Sequence, residues 1–496
     1  MAGFVFFDTE TTGLRPGWDQ ILHFAAIRTD ADLAITDEFE VRSRLQPHVV
    51  AHPQALLTNG LPIAQLRDPE LPSHYDMVCA IRRKLVAWSP AIFAGFNSIG
   101  FDEHMLRHAL FQSLHDAYLT STPGNGRADV LGLTLTAVAL NPDCLIVPRN
   151  ETGRPSFKLE RLAAENGLAA AKAHDAMSDA KVTLALCRLI RDRADEAWQR
   201  FNRFSNKAGV AQFIEAEEGF VLTQFFGNEA YHRPVVCLGP EPRNANGRFC
   251  LDLSIDPADW RAMTDEEVNA ALLRKASPMR RLAINAAPTL TALWEAPAEW
   301  LNGLELAAAE DRARRFAEDE ALRARLIRAY TANWSDESPG LHPEDCLYSG
   351  GFPCDDDKRR RIDFHEASRR ERLEIVEAFE DPRLQAFGRR LFHAEHRGSL
   401  GEAARLAADL ELAERLLEDR RGAYTLGQAL ADVDTLLETG CADPRGLLPN
   451  YRAWLVDRID KTEDFRRRHI VLSTGPGATK TMTTGSAIGG RHGADP

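Results

Sequence analysis

The sequence has no apolar run near the roughly 20 residues needed to cross a bilayer as a helix. Its apolar opening, Phe4-Val5-Phe6-Phe7, is too short for a signal-peptide core and has no basic segment before it. The expectation is a cytoplasmic protein. The eight cysteines (79, 144, 187, 237, 250, 346, 354 and 441) include no C-x-x-C pair and no zinc spacing. In a reducing compartment they read as free thiols. There is no basic excess: the formal net charge is −13, against 60 Lys and Arg. That argues against an indiscriminate nucleic-acid coat, though not against an enzyme that lines one groove with basic residues.

At 496 residues the chain exceeds one ordinary core, and 44% hydrophobic with 27% charged residues is an ordinary globular composition. Phe4 to Phe7 read as a buried strand, followed by Asp8 and Glu10. Side chains two apart on a strand leave the same face, so the two carboxylates repel unless a cation lies between them. Taken alone, Asp-x-Glu is also what a solvated strand end looks like.

Further strands are expected over residues 20–29 and 38–45, with Asp30 to Asp37 as the hairpin turn. A helix is expected over 73–88 and a strand over 91–97. Asp102 then falls where strand becomes helix, a position that suits an N-cap or a metal ligand. Asp129 reads as a structural cap, and Ser156 as the cap of a helix containing Phe157 to Leu162. The stretch from Ala173 to Ala180, with His174, Asp175 and Asp179, runs into a helix with Val182, Leu186 and Leu189 on its buried side.

The charged stretch 191–205 suggests a domain limit. Short β-like runs between Gly, Pro and Asn turns over 206–300 suggest a small barrel-like unit, and a helical pattern spans 306–332. A second limit is expected near Pro339-Gly340, with amphipathic helices beyond it carrying Leu406, Leu410, Ala413, Leu417 and Leu426, Leu430, Val433, Leu437. The basic run Lys358 to Arg372 reads either as a solvated helix face or as a track for a nucleic-acid backbone. From Ser473 the apolar period is lost and a disordered tail is expected.

Four carboxylates (Asp8, Glu10, Asp102, Asp179) can hold two Mg²⁺ ions for phosphodiester hydrolysis, and a neutral histidine, His174, can accept the proton of the attacking water. Asp-x-Glu, then Asp, then His-x-x-x-x-Asp resembles the DEDDh 3′→5′ exonucleases. More narrowly, the strings FVFFDTETTG, HFAAIRTD, GFNSIGFDEH, SFKLERLAAENGL and AHDAMSDA resemble the bacterial exodeoxyribonuclease I family.

The resemblance implies an α/β multidomain protein: an RNase H-like exonuclease domain with a mixed sheet flanked by helices (1–192), an SH3-like middle domain (193–340) and a helical C-terminal domain (341–472), before the tail 473–496. It implies processive release of 5′-mononucleotides from the 3′ end of single-stranded DNA in repair and recombination, with Mg²⁺ or Mn²⁺. It also implies a nucleoid-associated monomer that binds the acidic tail of single-stranded-DNA-binding protein, with Arg312, Arg314, Arg315, Arg323 and Arg325 as candidate contacts. Asp8, Glu10, Asp102 and Asp179 match the metal ligands, His174 the general base, and Glu10 and Lys158 the substrate contacts. Lys158 stands where the family often has arginine; it keeps the charge but loses the planar fork. The rival expectations are a DEDDh exoribonuclease or proofreading nuclease, and a catalytically idle DNA-binding adaptor.

Overall fold

The computed structural model describes residues 3–168, 175–332, 334, 342–418 and 422–473. The first sheet comprises β1 (Phe4–Thr11), β2 (Ile21–Thr29), β3 (Ile35–Arg42), β4 (Ile92–Gly95) and β5 (Gly126–Asp129), in the order β3-β2-β1-β4-β5. The first three strands form an antiparallel meander, whereas β4 and β5 run parallel to β1. Helices cover both faces, which explains why β1 opens with an unbroken apolar run rather than an alternating one. Phe4 and Phe6 pack on one face with Leu184, Trp198 and Phe201. Val5 and Phe7 pack on the other with Ile81, Leu85, Met105 and Leu106.

The hairpin turn is tighter than expected, and β3 begins three residues earlier than Glu38. The carboxylate of Asp30 accepts from the N–H groups of Asp32 (3.0 Å) and Ala34 (2.8 Å), closing the turn within five residues. The Ser156 cap is also corrected. The helix there is Leu159–Glu165 with Lys158 at the cap position, and the Ser156 N–H is instead bonded to the Pro148 carbonyl at 2.8 Å. The charged stretch after Arg191 is a corner between helices Ala176–Arg193 and Asp195–Phe204. Trp198 and Phe201 of the second helix stack on Phe4, so the first core continues past residue 192.

A second sheet is wholly antiparallel: β6 (Gly219–Phe226), β7 (Glu229–Glu241), β8 (Asn244–Asp252), β9 (Met279–Ala283) and β10 (Thr289–Ala292), in the order β10-β6-β7-β8-β9. Two helices not expected from the sequence, Pro257–Ala262 and Asp265–Leu273, join β8 to β9. Both carry legible starts: Asp256 capping a helix with Pro at its first position, and the Thr264/Glu267 capping box. The 306–332 pattern is two helices, because Asp319 ends the first and caps the second through the Leu322 N–H at 2.9 Å.

The limit expected at 339–340 lies outside the described residues, as does the tail from residue 474; Ser473 itself ends the helix Leu447–Ser473. The C-terminal helices build shared cores with the first 120 residues. Phe364, Val376 and Phe387 join Tyr75, Phe111 and Leu114, while Leu426, Val433 and Tyr451 join Leu22, Leu56 and Leu66. The Tyr451 hydroxyl donates to the Ala51 carbonyl at 2.6 Å. Of the two expected stripes, Ala413, Leu426 and Val433 are buried. Leu416 takes the place expected for Leu417, and Leu437 is exposed. No described helix is long and apolar enough to cross a membrane.

Candidate active site

The two-residue period of β1 sends Asp8 and Glu10 to the side that Phe4 and Phe6 occupy. The helix Ala176–Arg193 packs on that side through Ala180, Leu184 and Cys187, and so delivers Asp179. Ligand oxygens of Asp8, Glu10 and Asp179 lie within 4.8 Å of one another. Thr9, between the two acids, points the other way. Its N–H (3.0 Å) and hydroxyl (2.5 Å) both donate to Asp102 Oδ1. Asp102 is therefore not a cap: it opens the helix Asp102–Gln112, and Phe101 at the cap position makes no side-chain cap bond. Asp129 does cap its helix, through the Leu131 N–H at 2.9 Å. It also accepts from the Asn97 and Ile99 N–H groups, tethering the loop that leads to Asp102.

Bringing these acids together is electrostatically costly. Burial pushes the Asp8 carboxyl well above its usual range, and Asp102, Glu10, Asp179 and Asp175 push it further. Glu10 is raised to about 8 by burial, then by Asp179, Asp102 and Asp175. Burial raises Asp102 to about 7 against the opposing hydrogen bonds from Thr9. A partly buried, all-oxygen donor set whose members resist ionisation side by side fits a hard divalent cation. Asp8, Glu10 and Asp179 would hold it, with Asp102 alongside.

The sequence did not single out a second layer of groups. Glu10 pairs across the sheet with buried His23, whose Nε2 lies 2.9 Å from Glu40 Oε1. Arg42 bridges Glu40 (3.2 Å) and Asp175 (2.9 Å). Asp175 in turn caps the Asp179 helix, accepting from the Ser178 N–H. Burial holds the His23 imidazole below its usual pKa, with Arg42 adding to the effect. The signal that could have found these groups is strand register, which the sequence shows only after the hairpin length is known.

His174 lies outside the described residues. Lys158, with Arg161 and Asn228, lines a cavity of about 430 Å³ at the junction with the second sheet, separate from the one beside Glu10. A cavity of about 540 Å³ opens beside Glu10, bounded by Leu14, Trp18 and Phe101 and, from the C-terminal part of the chain, by Arg415 and Tyr424.

The basic run is largely answered locally: Lys358 pairs with Asp355, Arg359 with Asp356 and Arg360 with Asp357, each three residues along one helix. Arg361 donates to the His115 carbonyl and Arg372 to the His365 carbonyl. This favours the helix-face reading over the backbone track. The five arginines at 312–325 are likewise engaged. Arg315 forks onto Asp256, Arg314 pairs with Asp311, Arg325 meets Asp265, and Arg312 and Arg323 donate to backbone carbonyls.

Cys79, His115 and His365 also bring ligand atoms within 4.8 Å. Their imidazoles, however, stack at 3.8 Å and 16°, so their in-plane lone pairs lie in nearly parallel planes and do not converge on one ion.

Comparison with known proteins gives a consistent picture. A family model described as "Exonuclease" matches residues 5–187. Exodeoxyribonuclease I of Escherichia coli K12 is 28% identical over 310 residues, covering 58% of this chain and 63% of that protein. The Haemophilus influenzae protein of the same name is 26% identical over 58% of this chain and 61% of its own length. The chain thus matches just under two thirds of these relatives. In fold, the E. coli exonuclease I crystallised with a dA16 oligonucleotide superposes with a TM-score of 0.79 at 21% identity, covering 93% of this chain and all (100%) of that one. Exonuclease I from Methylocaldum szegediense gives 0.78 at 23% identity over 92% and 100%. An exonuclease domain is thus matched over the first part of the chain, and the fold of exonuclease I over nearly its whole length.

Proposed function

We propose that the protein is a single-stranded-DNA-specific 3′→5′ exodeoxyribonuclease that releases 5′-mononucleotides by two-metal hydrolysis and serves DNA repair and recombination. The convergence of Asp8, Glu10 and Asp179 beside Asp102 is the observation that carries this reading. These four residues hold two Mg²⁺ ions, and Mn²⁺ can substitute. When bound, the ions supply Lewis acidity toward the water and the scissile phosphodiester. His174 takes the proton from the attacking water, a task suited to an imidazole that is neutral near pH 7. Glu10 and Lys158 contact the substrate strand, Lys158 as a point charge on phosphate. The division into an exonuclease domain (1–192), an SH3-like middle domain (193–340) and a helical domain (341–472) belongs to the same proposal. So do monomeric action in the cytoplasm at the nucleoid and contact with the tail of single-stranded-DNA-binding protein.

The test is digestion of 3′- and 5′-labelled single-stranded DNA, duplex DNA and RNA, with Mg²⁺ and with chelator. The expected result is metal-dependent loss of the 3′ label from single-stranded DNA first. Activity surviving excess chelator, first release of the 5′ label, or a preference for RNA would overturn the reading. Asp8→Asn and Asp179→Asn should abolish hydrolysis while the protein still binds single strands, with metal affinity lowered in calorimetric titration.

A further inference from the structure

Two of the eight cysteines face each other across the second sheet. Cys237 on β7 and Cys250 on β8 are register partners. The Leu253 N–H donates to the Pro234 carbonyl, two steps before Val236–Leu251, at 2.9 Å. Pairs of an antiparallel ladder alternate between hydrogen-bonded and non-hydrogen-bonded. Pro234–Leu253 and Val236–Leu251 are therefore of the first kind, and Cys237–Cys250 of the second. At such a pair the Cα atoms stand about 4.5 Å apart with their side chains on one face. A disulfide tolerates Cα separations of about 4.4–6.8 Å. Cys250 belongs to a buried cluster against which Cys237 packs. The strand bulges immediately afterwards, where register passes from Cys237 to Gly239, giving the backbone local latitude.

We propose that Cys237 and Cys250 form a reversible cross-strand disulfide when the protein meets a peroxide. The two thiols are not equivalent. Cys237 is partly exposed, whereas Cys250 is buried against Phe213 and Phe220. The Cys250 side chain, aided by the Gly239 N–H, Arg248 and Arg323, holds the Cys237 thiol below its ordinary pKa despite burial. Burial and Cys237 itself push Cys250 well above. Cys237 is then the attacking thiolate. It takes one oxygen from the peroxide as the O–O bond breaks, giving a sulfenic acid and releasing one water once protons are supplied. Cys250 attacks that sulfur, the S–O bond breaks and a second water leaves. Two thiols and one hydrogen peroxide thus give one disulfide and two waters, the peroxide being the oxidant.

The experiment treats the full chain with hydrogen peroxide, blocks remaining thiols by alkylation and maps peptides by mass spectrometry without reductant. The expected result is a cross-linked peptide joining Cys237 to Cys250, two hydrogens lighter than its parts, in the larger part of the protein. A dithiol should reverse it. Cys237→Ser and, independently, Cys250→Ala should each remove that species while leaving the alkylation of the other six cysteines unchanged. Accumulation of a sulfinic acid at Cys237 without cross-link would overturn the proposal. So would full alkylation of both thiols after peroxide, or cross-links spread among other cysteines. The wild-type map alone decides the matter if either variant fails to fold.

Discussion

At the residue scale, gathering the carboxylates costs stability, and this can be measured. Glu10 is raised from 4.5 to about 8, so the folded state holds a proton that the unfolded state has already released. A carboxyl raised on folding makes stability fall as pH climbs from the unfolded to the folded pKa. In chelator, the melting temperature of the wild type should therefore decline between pH 5 and 8 more steeply than that of Glu10→Gln, and added Mg²⁺ should remove the difference. Equal slopes would show that the cluster is not strained. His174→Ala should lower turnover by roughly 10²–10⁴ with little change in affinity for single strands, and recover part of the rate at higher pH; wild-type turnover near neutrality would remove His174 from the reaction. Asp8 and Glu10 were legible because the strand period alone sets their shared face, and Asp179 through its spacing in the His-x-x-x-x-Asp string. His23 and Arg42 were not, because their roles arise from pairing, Glu10 with His23 and Arg42 with Asp175, between segments that sequence spacing leaves independent.

At the scale of elements, the helix His74–Trp88, the strand β4 and the middle strands were readable from apolar period. The errors came where a side chain redirected the backbone. Asp30 shortened the hairpin, and Asp319 split one helical pattern into two. The joint between the first domain and the helix Asp355–Glu366 carries its own sensitivity. His365 stacks on His115, and its Nδ1 meets the Tyr75 hydroxyl at 2.8 Å. Burial lowers His365 to about 4 and His115 to about 2, with each affected by Arg82 and Arg361. For a histidine whose pKa falls on folding, the contribution is intact above the unfolded value of 6.5 and fades as pH drops toward the folded one. Limited proteolysis should thus release the C-terminal helices faster at pH 5 than at pH 7.5, and His365→Phe should blunt that dependence. An unchanged cleavage rate across this range would contradict the account.

At the scale of the whole molecule, the expected three-part layout understates how far the C-terminal helices share cores with the first 120 residues. Sequence period marks a buried face but not what covers it, so Leu426 and Val433 could be assigned to a core but not to the one containing Leu22. A chain ending at residue 340 would leave Leu22, Leu56, Tyr75 and Phe111 uncovered. It should aggregate or melt well below the full protein in differential scanning calorimetry, whereas an independent first domain would melt unchanged. The clasp between Ala51 and Tyr451 also bears on biosynthesis. At about 5–20 residues per second, tens of seconds separate the emergence of the first sheet from that of the helix that completes its core. Throughout that interval Asp8, Glu10 and Asp102 stand on an unfinished scaffold. The fold can be sealed only after Tyr451 has left the ribosome, which makes late translation itself a checkpoint on the assembly of the carboxylate cluster.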